Sequence, residues 1–155
     1  MLMAMNETLQ ALTQTPSTLE GLFAKLEAAG TLDAPRAPGK WSPRFILAHL
    51  ADVEALQRAR VMAMLSEEDA RMVGFNADAW AAGGDYAHSD PGKSLETFTA
   101  LRRGNLDLWN RLNDAQLERR GTHPTRGTFS IREWLAFVAK HDANHLAQLE
   151  ASLNA

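Results

Sequence analysis

Apolar residues recur at steps of three and four along four separate stretches of the chain, the period of helices that each bury one stripe. In PSTLEGLFAKLEA, Leu19, Leu22, Phe23 and Leu26 share a side, and Gly30 ends the run. Pro16 suits a first helical turn, so the spacing predicts an N-terminal turn or two, a break near TQTP, and then the helix. DAPRAPGK follows as a linker whose prolines and glycine resist regular structure. A second helix is expected from Trp41-Ser42-Pro43 through Met64, with Ser42 as its cap and Trp41 and Ile46 spaced as a hydrophobic staple. Its inward stripe holds Ile46, His49, Val53 and Leu56. A third helix places Leu95, Phe98, Leu101 or Arg102, Leu108 and Leu112 on its core side. The last begins at Ser130, which forms a capping box with Glu133. Ile131, Trp134, Val138, His141, His145 and Gln148 or Leu149 then follow one face.

These stripes predict an all-α four-helix bundle. SEEDARMVGFNADAWAAGGDYAHSDPG, between the second and third helices, is long enough to cross from one end of a bundle to the other. A length of 155 residues suits a single domain spanning 1–155, with one core and no covalent staples. The chain has no cysteine, which excludes disulfides and thiolate metal sites and favours an intracellular, cytoplasmic setting. MLMAMNETLQ lacks the basic region and apolar core of a secretion signal, and no later run is apolar enough for a membrane span. A net charge of -3, with four tryptophans not interleaved with basic residues, argues against general nucleic-acid binding.

Chemistry concentrates in the histidines. His141 and His145 lie one turn apart on an otherwise apolar stripe, and two buried imidazoles must both find partners. If the second helix packs against the last, His49 joins them and offers three neutral ring nitrogens to a metal, with a coordination position left open. The pair is HxxxH without the glutamate of the HExxH peptidase motif. The alternative is a buried hydrogen-bond network in which Asp52, Asp142, Asn144 or backbone groups satisfy the rings.

WSPRFILAHLADVE, GFNADAWAAGGDY, LRRGNLDLW and HDANHLAQLE together resemble the DinB-like superfamily, in particular its DinB_2 and YfiT-like branch, which is distinct from the DNA polymerase of similar name. The resemblance covers nearly the whole chain. It implies an up-down-down-up four-helix bundle with a long crossover between helices two and three, and metal-binding histidines at His49, His141 and His145. Related branches include metal-dependent thiol-S-transferases that use low-molecular-weight thiols, isomerases and hydrolases. Transfer of such a thiol cosubstrate to a small electrophile is the preferred expectation. Metal-dependent hydrolysis of a small substrate is the first alternative, and a nonenzymatic metal-stabilised sensor or interaction module the second. A divalent metal is expected, with zinc or nickel ahead of manganese or iron because the ligand set is imidazole.

Other residues carry weaker expectations. Asp52, Trp80, Tyr86, Asp142 and Gln148 are candidates to orient the histidines or line a pocket, against readings as surface, loop-anchoring or core hydrogen-bonding groups; His88 shares the loop. Arg119, Arg120 and Arg126, with His123, are candidates to contact an acidic ligand, against a charged surface turn. Of Arg102 and Arg103, only one can face the core. Apolar residues between helices serve either a substrate chamber or a second copy, and a homodimer is expected.

Overall fold

Capping chemistry starts three of the four long helices where a polar side chain can accept a free backbone N–H. Ser42 accepts from the Phe45 N–H at 3.5 Å and opens α2 (Pro43–Ser66). Asp90 accepts from Lys93 and opens α4 (Pro91–Trp109). Ser130 and Glu133 exchange bonds of 3.1 and 2.7 Å to open α6 (Ile131–Ser152), the expected capping box. The remaining long helix, α1 (Met5–Ala29), ends at Gly30, whose φ of 67° is a conformation glycine adopts without strain. The protein is described here by a computed structural model covering residues 4–154. Among these, no helix is long and apolar enough to cross a membrane.

The expected break before Pro16 is absent, and α1 runs straight through that residue. Proline removes the N–H that would bond the Leu12 carbonyl. That carbonyl instead accepts from Nη1 of Arg102 at 3.0 Å, so a tertiary contact fills the gap left by the helix.

Two apolar clusters set the helix directions. At one end Leu12 of α1, Val61 and Met64 of α2, Leu108 and Trp109 of α4, and Ile131 and Trp134 of α6 pack together. At the other, Leu19, Leu22 and Leu26 meet Ile46, Leu47 and Leu50, Leu95 and Phe98, and Leu149. Thus α1 and α6 run one way and α2 and α4 the other, which is the expected up-down-down-up order. Each of α1 and α2 packs against both α4 and α6.

A polar clasp joins all four helices between the clusters. Arg102, fully buried, donates from Nε and Nη2 to the two oxygens of Glu54 at 2.8 and 2.7 Å, and its Nη1 lies 2.9 Å from Asp142. Asn105 donates to Glu54 at 2.8 Å and Thr15 to Asp142 at 3.1 Å. Arg102, not Leu101, therefore carries the inner face of α4, while Arg103 is exposed.

The crossover, residues 67–90, holds β1 (Ala70–Arg71), α3 (Ala77–Gly83) and a 3-10 turn at Tyr86–His88. After the short α5 (Asp114–Leu117), β2 (Arg120–His123) pairs parallel with β1 and antiparallel with β3 (Gly127–Ser130). This small sheet adds to the helical expectation, because two- to four-residue strands show no usable alternation in the sequence. Gly121 lets β2 lie against α2, since a Cβ there would sit 2.6 Å from Met64 Cγ. The hairpin is thereby fixed over one end of the α2–α6 groove.

Candidate metal centre

His49 projects from the middle of α2, and His141 and His145 from successive turns of α6, so packing of the two helices brings three rings together. Nε2 of His141 lies 3.2 Å from Nε2 of His49 and 3.2 Å from Nε2 of His145, and one ligand atom from each ring lies within 4.8 Å of the others. Zinc–nitrogen bonds of about 2.05 Å at tetrahedral angles separate two ligand nitrogens by about 3.3 Å, close to both short edges.

The far sides of the rings differ. His145 donates from Nδ1 to Gln148 Oε1 at 3.0 Å, which leaves the Nε2 lone pair aimed at the centre. Nδ1 of His141 is 3.8 Å from Asp142, beyond hydrogen-bond reach, because that carboxylate is turned toward Arg102 and Thr15. Burial pushes the Asp142 carboxyl up, but His141 and Arg102 outweigh it and hold the group below its usual value. His49 Nδ1 is buried without a partner, and its ring is held by packing against Trp41 and Phe75. Burial, then the neighbouring histidines, pushes His49 down to about 3. Burial and His141, opposed by Gln148 and Asp142, push His145 down to about 4. Both rings are neutral at pH 7, the form that ligates metals. With one ring nitrogen from each histidine able to offer a lone pair at these spacings, the cluster is capable of coordinating a divalent metal.

A cavity of about 370 Å³ opens beside His49 and His141. Val53, Gln57 and Arg60 of α2 form one wall, Phe75, Asn76 and Asp78 of the crossover another, and His123, Thr125 and Arg126 of the hairpin a third; Trp134 and Phe137 of α6 close it. It matches the lower range of small-molecule pockets. A smaller cavity of about 260 Å³ reaches His145 and Gln148 past Trp41 and Lys40. A wider depression, about 850 Å³, lies along Phe129, Ala136, Phe137 and Ala139 and includes none of the three histidines.

Of the secondary candidates, Gln148 contacts a histidine directly, and Arg126 reaches the cavity wall. Asp142 sits behind His141 but belongs to the Arg102 clasp. The others stand elsewhere. Asp52 accepts from the Tyr86 hydroxyl at 2.5 Å, anchoring the crossover to α2, and Trp80 packs on Phe75 at 4.4 Å and lines a separate depression with Asp52. His88 is exposed and paired with Asp85. Arg119 donates to the Met64 and Glu67 carbonyls at the end of α2, and Arg120 lies on the surface 3.7 Å from Glu133; neither lines the cavity. Among the described residues the rings' hydrogen bonds run to one another and to Gln148, not to Asp52 or Asn144, and Asp142 approaches His141 only to 3.8 Å.

Arg60, Gln57, Phe75 and Trp134 are cavity residues that no motif in the sequence marks as such. A usable signal existed on α2, where His49, Val53, Gln57 and Arg60 follow one another at helical steps of three and four.

The family model of the DinB superfamily matches residues 11–149. YfiT of Bacillus subtilis, provisionally named a metal-dependent hydrolase, is 29% identical over 138 residues, covering 84% of this chain and 78% of its own. A protein of Bacillus licheniformis with the same provisional name is 29% identical over 141 residues, covering 90% and 80%. The solved structure of B. subtilis YfiT, described as an unusual four-helix bundle, superposes with a TM-score of 0.89 at 26% identity, covering 96% of this chain and 85% of that one. These names overturn the preference for thiol transfer over hydrolysis, because these relatives are all named as hydrolases and none as a transferase.

Proposed function

Because this chain belongs to the DinB superfamily, we propose that it is a metal-dependent hydrolase of a small molecule, with His49, His141 and His145 holding the ion. The observation that carries this reading is the convergence of three ring nitrogens at the edge of a cavity of substrate size. Zinc or nickel fits an all-imidazole set better than manganese, which favours carboxylate oxygens, or iron, whose open non-haem sites commonly pair two imidazoles with a carboxylate. When bound, the ion supplies Lewis acidity, polarising an acyl or related centre and making water a nucleophile near neutral pH. The chain's own residues do the rest. Gln148 sets the tautomer of His145, and burial keeps His49 and His145 unprotonated. Phe75, Trp134 and Phe137 surround the reacting region with apolar surface that limits bulk water.

The test combines elemental analysis with an ester and amide hydrolysis panel run without thiol. The purified protein is expected to carry close to one zinc or nickel per chain. His49→Ala, His141→Ala and His145→Ala should each lose most of it while keeping the helical circular dichroism signal. Turnover should vanish with chelator and return on adding the ion. Full metal retention by all three folded variants would overturn the ligand assignment, and turnover indifferent to chelator would overturn the metal-dependent reading.

A further inference from the structure

Two arginines lie buried in this protein, and their surroundings are opposite. Arg102, 0% exposed, is enclosed by the carboxylates of Glu54 and Asp142. Arg60, only 3% exposed, has none. Its Nε and Nη2 both donate to the Val73 carbonyl at 2.9 and 2.6 Å, and its carbon lies 5.0 Å from the Trp134 ring and 5.9 Å from that of Phe75. Nη1 makes no hydrogen bond among the described residues and keeps some contact with solvent. The nearby charge that acts on Arg60 is Arg126, of the same sign; burial first and Arg126 second bring the Arg60 guanidinium down to about 10. For Arg102, burial works the same way, but its two carboxylates outweigh it and raise the group above its ordinary value. Asp78 is the one carboxylate lining the cavity among the described residues, and it is not among the groups acting on Arg60.

A guanidinium stays charged at neutral pH, so a largely buried one with no anion beside it is unfavourable, and an anionic ligand reaching its open edge would relieve that cost. The location says which. Arg60 lines the cavity that also holds His49 and His141, and Phe75 bridges the two ends, its ring 6.1 Å from the His49 ring and 5.9 Å from the Arg60 carbon. With the Nε side committed to Val73, the edge formed by Nη1 and Nη2 remains for a planar pair of oxygens. We propose that Arg60 is the anion clamp of this cavity and that the substrates are small carboxylic acids whose hydrolysable bond lies several atoms from the carboxylate, within reach of the three histidines. A single clamping cation favours a monoanionic carboxylate over a phosphate dianion, and the aromatic walls favour an apolar middle. Arg126, at the cavity wall, adds long-range attraction. Arg60 is a binding group, and the inference rests on the hydrolase reading only for the identity of the reacting bond.

Equilibrium titration tests the clamp without turnover. Glutaramate, which carries one carboxylate, its neutral diamide and inorganic phosphate are titrated into the zinc-loaded and the chelator-stripped protein, followed by calorimetry and by the NMR signal of the Arg60 Nε–H. Glutaramate is expected to bind about tenfold or more tighter than the diamide in both forms, the effect of one charge-assisted contact, and to shift the Arg60 signal. Arg60→Gln should abolish the preference, Arg60→Lys should restore part of it, and Arg126→Gln should reduce it by a smaller factor. Should Arg60→Gln not fold, the wild-type ligand pair and Arg60→Lys still decide. Equal binding of glutaramate and the diamide, a preference that survives Arg60→Gln, or one that disappears when zinc is removed would each overturn the clamp. Phosphate binding more tightly than glutaramate would overturn the carboxylate class. Failure of the hydrolase reading shows separately, as an Arg60-dependent preference in a protein that hydrolyses nothing.

Discussion

At the scale of single residues, the three rings of the candidate metal centre are oriented by different means, and this difference predicts how each responds to change. His145 is aimed by one hydrogen bond, from Nδ1 to Gln148 one turn further along α6. His49 has no such bond and is aimed by the Trp41 and Phe75 rings. Replacing Gln148 by leucine therefore removes the only directional hold on His145 while leaving a side chain of similar bulk at a half-buried position. Loss of such a partner typically lowers metal affinity by about 10–100-fold. Gln148→Leu is expected to fall in that range in a competition titration against a chromophoric chelator, with unchanged thermal unfolding of the metal-free protein. Wild-type affinity in that variant would mean that packing alone positions His145.

At the scale of elements, the bundle depends on a polar clasp as well as its two apolar clusters. Arg102 binds α4 to α2 through Glu54, to α6 through Asp142 and to α1 through the carbonyl that Pro16 leaves open. Arg102→Met keeps the volume but strands two buried carboxylates, and removing one partner of a buried ion pair costs about 3–5 kcal/mol. Urea unfolding should show a loss of that size, whereas Arg103→Met, on the exposed neighbour, should stay within about 0.5 kcal/mol. Equal effects of the two would sink the clasp. The same elements show what was legible beforehand. The helical stripes, the Ser42 and Ser130 caps and the inward course of His49, His141 and His145 all follow from local spacing, which is why the bundle and its histidines could be read from the sequence. The continuity of α1 through Pro16 could not be, because the group that repairs the helix comes from a position 90 residues away. Arg102 and Arg60 are charged residues on core faces, where hydropathy argues against them until their surroundings are known. The sheet escaped because its strands are too short to carry a period. Arg119 and Arg126 look alike in sequence, yet hairpin geometry sends one to the end of α2 and the other to the cavity.

At the scale of the whole molecule, an acidic chain of net charge -3 encloses a cavity whose charge comes largely from arginine and in which burial pushes His49 and His123 toward the neutral form. This arrangement makes stability depend on pH in a defined direction. In the metal-free folded protein, His49 and His145 bind protons only at about 3 and about 4, against an ordinary value of 6.5. His123, lowered by burial and then by Arg60 and Arg126, shifts the same way. The unfolded chain therefore takes up protons first as pH falls. The stabilisation from these groups is fully present above 6.5 and is lost as pH drops from 6.5 toward the folded values. Carboxylates titrate lower, so a decline that begins near pH 6.5 belongs to the histidines. Urea midpoints measured in chelator from pH 8 to pH 5 should stay level and then fall below about 6.5. A folded His49→Asn, His145→Asn double variant should show a shallower fall, with the remainder due to His123. Added zinc should raise the midpoint most at the neutral end, because metal and protons compete for the same nitrogens. A wild-type midpoint that is flat across this range, or a double variant with an unchanged slope, would show that the rings are not held neutral by the fold.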